Sequence, residues 1–144
     1  MASRTLREIM TKDVQTVTLQ DNVYEVAVKM RDYNVGVIPV IDEKQDVIGV
    51  ITDRDIVIRG IAEKREGSAK VQDVMTRDIV LGQPGMSADE AARIMARHQI
   101  RRLPVVENGK LVGIVAIGDL AVRNILQDEA GQALSEISEP ASRH

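Results

Sequence analysis

The chain is written twice. Ile9-Met10-Thr11-Lys12-Asp13 recurs as Val74-Met75-Thr76-Arg77-Asp78, 65 positions later. At the same offset Glu25, Ala27 and Met30 match Glu90, Ala92 and Met95, and Ile38-Pro39-Val40 matches Leu103-Pro104-Val105. A one-residue deletion then sets the offset to 64, where Gly49, Asp55 and Arg59 match Gly113, Asp119 and Arg123. Residues 6–59 and 71–124 thus align as two copies of one unit. At about 54 residues, one copy alone buries too little surface to be stable. A fold that satisfies both copies packs them sheet to sheet about a pseudo-two-fold axis.

Each copy reads in the same order. A short amphipathic turn (Leu6–Met10; Val71–Met75) leads into a short extended segment (Val14–Thr18; Ile79–Gln83). A helix follows, announced by the capping-box signatures Asn22-x-x-Glu25 and Ser87-x-x-Glu90. Its apolar stripe is Val23, Val26, Ala27 and Met30 in the first copy, and Ala88, Ala91, Ala92 and Met95 in the second. Two strands come next. Val37–Ile41 and Val47–Ile51 are joined by the charged loop Asp42–Asp46; Arg102–Val106 and Leu111–Ala116 are joined around Asn108-Gly109, a two-residue hairpin signal. The helices Asp53–Ile61 and Ile117–Gln127 close the copies. The expected class is α/β in the α+β sense, two β-α-β-β-α repeats. Repeat 1 covers 6–59, a polar linker 60–70, repeat 2 71–126, and a partly disordered extension 127–144. In that extension Gly131 reads as a helix stop, Gln132–Ile137 as a short turn and Ser138–His144 as a frayed end.

Composition closes several routes to function. The chain has 144 residues, with two Tyr (Tyr24 and Tyr33) and no Phe or Trp, so the core is aliphatic and no aromatic platform exists for stacking bases. A net charge of −3 argues against nucleic acid and anionic membranes as partners. The absence of Cys removes disulfides and thiolate metal sites. No apolar run reaches the ~18 residues of a membrane span, and Met1–Arg7 does not read as a signal peptide, so a cytoplasmic protein is expected. Catalytic signals are poor. The histidines are His98 on a helix end and His144 at the last position. No phosphate-binding Gly loop, dinucleotide fingerprint or His-Glu-x-x-His is present, and no base, nucleophile and orienting group can be assembled. No catalytic residue and no metal site is expected.

The most suggestive stretch is Gly49-Val-Ile-Thr-Asp-Arg-Asp55. An apolar run stops at a hydroxyl, Thr52, and a carboxylate, Asp55, follows three residues later at a helix start. Such a pair can grip the vicinal hydroxyls of a ribose, and it can equally be a capping box. Arg54 between them can reach a phosphate or solvent. Val50, one position along the same strand face, can line an adenine or sit in the core.

These motifs, in this order and twice, resemble the cystathionine β-synthase (CBS) domain, here as a tandem pair of the kind called a Bateman module. The resemblance rests on Ile-Met-Thr at the start of each copy, on Val-Ile-Pro-Val and Arg-Arg-Leu-Pro-Val, and on Gly-Val-Ile-Thr-Asp-Arg-Asp; it covers about residues 6–126. It implies a regulatory, non-catalytic module that binds an adenosine-containing ligand (AMP, ADP, ATP or S-adenosylmethionine) in clefts between paired sheets, with no required cofactor. The family's Thr/Ser-x-x-Asp element holds ribose, which falls on Thr52 and Asp55. The family pattern favours Arg102 for phosphate over its neighbour Arg101, since adjacent strand residues face opposite sides. Ile79 and Ile100 are lining residues by the same analogy, or core.

Repeat 2 departs from the pattern. Ala116 stands where repeat 1 has Thr52, leaving Asp119 alone, and Gly36 and Val37 stand where repeat 2 has Arg101 and Arg102. The expectation is one strong cleft built from Thr52, Asp55 and Arg102, and one weak cleft at Asp119. A homodimer through the helices is also expected, from the small residues Ala88, Ala91 and Ala92 and the apolar closing helices. The alternative is an interaction or assembly module that binds no nucleotide.

Overall fold

The computed structural model describes residues 4–122. Gly131, Gln132–Ile137, Ser138–His144 and the outer part of the second closing helix lie outside those residues. The elements are α1 (Leu6–Ile9), α2 (Val23–Tyr33), β1 (Val37–Ile41), β2 (Val47–Thr52), α3 (Asp53–Asp55) continuing as a π-helix (Ile56–Ile61), α4 (Val71–Val74), α5 (Ala88–His98), β3 (Arg102–Glu107), β4 (Lys110–Ala116) and α6 (Ile117–Val122). The class is mixed α+β, with two antiparallel two-stranded ribbons, β1–β2 and β3–β4.

The described chain divides into a central unit, Val14–Ile79, and a terminal unit formed by residues 4–13 with 80–122. The lead-in turn of each repeat therefore belongs to the unit built around the other repeat's ribbon. In the central core α4 contributes Val71 and Val74 beside Val17, Val26, Ile38, Val40 and Ile51. In the terminal core α1 contributes Leu6 and Ile9 beside Ala91, Ala92, Met95, Leu103, Val105 and Val115.

Local chemistry explains each ribbon. Asn108 (φ 54°) and Gly109 (φ 84°) form the tight turn that lets Glu107 pair with Lys110. Each ribbon is flanked on both edges. Val17 bonds to β1 through its N–H to the Pro39 carbonyl (3.1 Å) and its carbonyl to the Ile41 N–H (2.9 Å). Thr76 exchanges both backbone bonds with Val50 of β2, at 2.9 and 2.8 Å. The terminal unit repeats the scheme with Gly82 on Pro104 and Val106, and Thr11 on Ile114. This is why a proline is tolerated inside each ribbon. Pro39 sits opposite Val50 and Pro104 opposite Ile114, residues that spend their backbone groups outward on Thr76 and Thr11.

Gly49 and Gly113 complete the docking of the two Met-Thr segments. A Cβ on Gly49 would lie 2.5 Å from the Thr76 carbonyl oxygen and would strike the Met75 methyl. A Cβ on Gly113 would meet the Met10 sulfur at 2.5 Å and the Thr11 carbonyl oxygen at 2.9 Å. The repeated Met-Thr and Gly positions are thus two halves of one contact.

Some expectations change. The first closing helix is α-helical over only Asp53–Asp55 and then widens, with an i→i+5 bond from Ala62 N–H to the Val57 carbonyl (2.8 Å). Ala27, expected in the apolar stripe of α2, is exposed. Ala88, Ala91 and Ala92 are buried at 2%, 0% and 0% exposure within their own core, so they offer no surface to a second copy. The exposed apolar side chains of the first closing helix are Val57, Ile58 and Ile61.

Candidate functional site

Thr52 is the last residue of β2 and the N-cap of α3, with an extended backbone (φ −114°, ψ 163°) that turns its hydroxyl toward the helix start. The Thr52 Oγ1 accepts the Asp55 backbone N–H at 2.9 Å, and the Asp55 Oδ2 accepts the Thr52 N–H at 3.0 Å. The two residues that could hold a ribose therefore make a reciprocal capping box with each other. The hydroxyl proton of Thr52 has no acceptor among the described residues.

Asp55 is 6% exposed, the one buried charged residue among those described. A buried carboxylate needs partners, and the central unit supplies them. Arg59, one helical turn on, donates from Nη2 to Asp55 Oδ1 at 3.1 Å. Thr76, on the flanking segment, has its Oγ1 at 3.0 Å from Oδ1 and 3.1 Å from Oδ2. The same Arg59 nitrogen donates to Thr76 Oγ1 at 2.9 Å, and Arg59 Nε donates to the Val74 carbonyl at the end of α4 at 3.2 Å. Carboxylate, guanidinium and hydroxyl thus form a closed triangle. Sequence reasoning matched Arg59 to Arg123 and Thr76 to Thr11 as repeat partners but gave them no role. The signal was present: Asp55 and Arg59 stand four apart, the spacing of an ion pair on one helix face.

The remaining singled-out residues fall in two groups. Arg54 and Val50 share the central unit with Thr52 and Asp55, as does Ile79. Arg54 is exposed and its guanidinium has no partner among the described residues. Val50 and Ile79 are half-buried, outside the buried clusters. Ile100, Arg101, Arg102 and Asp119 belong to the terminal unit. Ile100 packs against its core. Arg101 and Arg102 are exposed; the Arg101 carbonyl accepts the Ile117 N–H (3.0 Å) and Arg102 Nη1 (3.3 Å), and Arg102 sits opposite Ala116 in the ribbon. Both arginines therefore flank the Ala116–Asp119 turn. There the Asp119 Oδ2 accepts the Ala116 N–H at 3.2 Å, its one partner among the described residues, and Ala116 brings no side-chain hydroxyl to complete the box.

A cavity of about 700 Å³ opens beside the β3–β4 turn, lined by Arg7, Gln83, Pro84, Glu107 and Asn108. Arg7 and Glu107 pair across it at 3.2 Å. None of the candidate ligand-binding residues lines it. Among the described residues no cluster of His, Cys, Asp or Glu could hold a metal ion, and no helix is long and apolar enough to cross a membrane.

Comparisons with known proteins agree with this arrangement. The sequence profile of the CBS domain matches residues 6–60 and 71–123. The chain is 50% identical over 139 residues to YlbB of Bacillus subtilis, an uncharacterised protein, covering 96% of this chain and 94% of that one. The crystal structure of Hypoxic Response Protein I with two coordinated zinc ions superposes with a TM-score of 0.76 at 33% identity, covering 82% of this chain and 97% of that one. The crystal structure of CBSX2 in complex with AMP superposes with a TM-score of 0.75 at 28% identity, covering 88% and 98%. With its duplicated ribbons, its exchanged lead-in turns and its doubled Met-Thr and Gly contacts, the chain belongs to the CBS domain family, as a tandem pair.

Proposed function

We propose that this CBS pair is a non-catalytic regulatory module that binds an adenosine-containing ligand, an adenine nucleotide such as AMP, ADP or ATP, or S-adenosylmethionine. The observation that carries the reading is the Thr52–Asp55 pair: a hydroxyl whose proton is unspent, beside a buried carboxylate, at the end of a strand. The similarity to CBSX2, a protein crystallised with AMP, supports the same ligand class. In this reading Thr52 and Asp55 hold ribose, and Arg102, Arg101 and Arg54, all with exposed side chains, are the candidate cations for phosphate. Arginine suits that role because its planar fork donates two hydrogen bonds to one phosphate. Val50 and Ile79, both half-buried and outside the core clusters, are the apolar lining for adenine; Ile100 serves the core first.

A thermal-shift and calorimetric screen with AMP, ADP, ATP, NADH and S-adenosylmethionine tests this. A ligand at 100 times its dissociation constant adds about 2.7 kcal/mol of stability. No shift with any of them rejects the reading and leaves a second one. That second reading is an assembly module, favoured by the three exposed apolar side chains Val57, Ile58 and Ile61 on one short helix. A homodimer through that helix fits either reading. Light scattering that returned a 15.9 kDa particle at micromolar concentration would remove it.

A further inference from the structure

Thr76 Oγ1 stands almost equidistant from the two oxygens of Asp55, at 3.0 and 3.1 Å. That is the mouth of the carboxylate, the position from which a bidentate donor reaches both oxygens at once. A hydroxyl carries one proton, so Thr76 covers two acceptor positions while filling one. The direction of that proton is fixed by its neighbour. Arg59 Nη2 donates to Thr76 Oγ1 at 2.9 Å, so the oxygen is an acceptor on that side and its own proton turns to Asp55. Thr52 N–H donates to Oδ2 and Arg59 Nη2 to Oδ1. Of the roughly four acceptor positions of a carboxylate, these three donors leave one.

A vicinal diol binds a carboxylate by sending one O–H to each oxygen, and it needs that same mouth. We propose that the Thr76 hydroxyl and the vicinal diol of a ribose compete for one seat on Asp55, so that Thr76 sets how strongly this site distinguishes ribose from deoxyribose. The inference rests on Asp55 being the ribose acceptor proposed above. With Thr76 in place, a ribose either uses the single open position or turns the Thr76 hydroxyl out. In both cases the second ribose hydroxyl gains little. The flanking backbone need not move, because Thr76 is held by two bonds to Val50 and only its side chain rotates. Thr76 is a specificity-determining residue under this scheme, and Arg59 a positioning residue that aims its proton.

The test is the affinity ratio of AMP to 2′-deoxy-AMP, measured by calorimetry on the wild-type chain and on Thr76→Val, Thr76→Ala and Thr76→Ser. Wild type is expected to prefer AMP by less than about threefold. Thr76→Val and Thr76→Ala open the mouth, so AMP binds more tightly and the ratio rises about tenfold or more, the range of one hydrogen bond to a charged group. Thr76→Ser keeps the hydroxyl and holds the wild-type ratio. A role confined to folding would lower both affinities together and leave the ratio unchanged, which overturns the proposal while leaving the ribose assignment intact. A wild-type ratio above tenfold overturns it without any variant. No binding of either nucleotide to wild type or any variant overturns both the proposal and the adenosine reading.

Discussion

Asp55 and Asp119 occupy equivalent positions in the two repeats, yet the two units use them differently. In the central unit Asp55 is buried and receives the Thr52 N–H, the Thr76 hydroxyl and the Arg59 guanidinium. In the terminal unit Asp119 is half-buried and accepts only the Ala116 N–H among the described residues. Thr11, the counterpart of Thr76, is exposed, and Arg123, the counterpart of Arg59, lies outside the described residues. Among the described residues the better-equipped carboxylate is thus also the more occupied one. Motif completeness and availability are different properties. A Thr-x-x-Asp in full records what can bind, whereas the partners already in place decide what a ligand must displace.

The largest effect that sharpens this contrast comes from the glycines beneath the two Met-Thr segments. Gly49→Ala drives a methyl against a backbone carbonyl that cannot swing aside and is expected to cost about 3 kcal/mol, the upper end of overpacking. Gly113→Ala also meets a thioether that can rotate, but its carbonyl contact, to Thr11, is the looser one at 2.9 Å against 2.5 Å, so its cost is about 1–2 kcal/mol. Equal losses in urea unfolding of the two variants would break the ranking.

Next come the carboxylates. Asp55→Ala strands the Arg59 guanidinium, the Thr76 hydroxyl and the Thr52 N–H together, for an expected loss of about 2 kcal/mol, reduced because the Arg59 side chain is 45% exposed. Asp119→Ala removes one backbone acceptor and should cost under about 1 kcal/mol. Matching unfolding midpoints for the two would show that the Asp55 triangle contributes no more than a cap.

A gain follows from restoring the missing hydroxyl. Ala116→Thr gives α6 the side-chain acceptor that Thr52 provides to α3, and stabilisation of about 0.5–1 kcal/mol is expected by chemical denaturation.

The smallest effect reverses the asymmetry, since here the terminal unit has the better cap. Glu8 Oε1 accepts the Thr5 N–H at 2.9 Å, and this bond holds the Glu8 carboxyl below its ordinary range. A depressed folded-state pKa contributes stability that is complete above the ordinary carboxylate range and is lost as pH falls through the folded value. An NMR titration of the Glu8 side-chain carbon should therefore show a midpoint below that of free glutamate. A midpoint at or above it would contradict the box.

Much of the fold was legible because its signals are local. Asn22 and Glu25 make the reciprocal capping box that their spacing suggests, Ser87 caps the Glu90 N–H without the return bond from the Glu90 side chain, and Asn108-Gly109 turns the hairpin. The bounds of β1, β2 and β3 follow from apolar runs that end at polar residues, Asp42, Thr52 and Glu107. What escaped is non-local or off-period. Nothing in Leu6–Met10 says which ribbon it will flank, because a single turn carries no register. The widening at Ile56–Ile61 departs from the 3.6-residue period on which helix reading depends. The alanine stripe was legible as a face but not as an inward one, since small residues suit a core and a surface contact equally. At the site, the pair Thr52 and Asp55 could be found by its spacing. Its engagement by Thr76 could not, because that contact joins segments 21 residues apart in the chain.

The exchange of lead-in turns also sets an order in time. Both segments that flank the β1–β2 ribbon, at Val17 and Thr76, have been synthesised once Ile79 leaves the ribosome, so the central unit can close while the chain is still growing. Thr11, made early, must wait for Ile114 near the other end of the described chain, and Leu6 and Ile9 stay without their core until then. Long-range closure of this kind is slow. In refolding the whole chain, pulsed hydrogen exchange should protect the amides of Val50 and Thr76 before those of Thr11 and Ile114; simultaneous protection would mean the two units condense in one step.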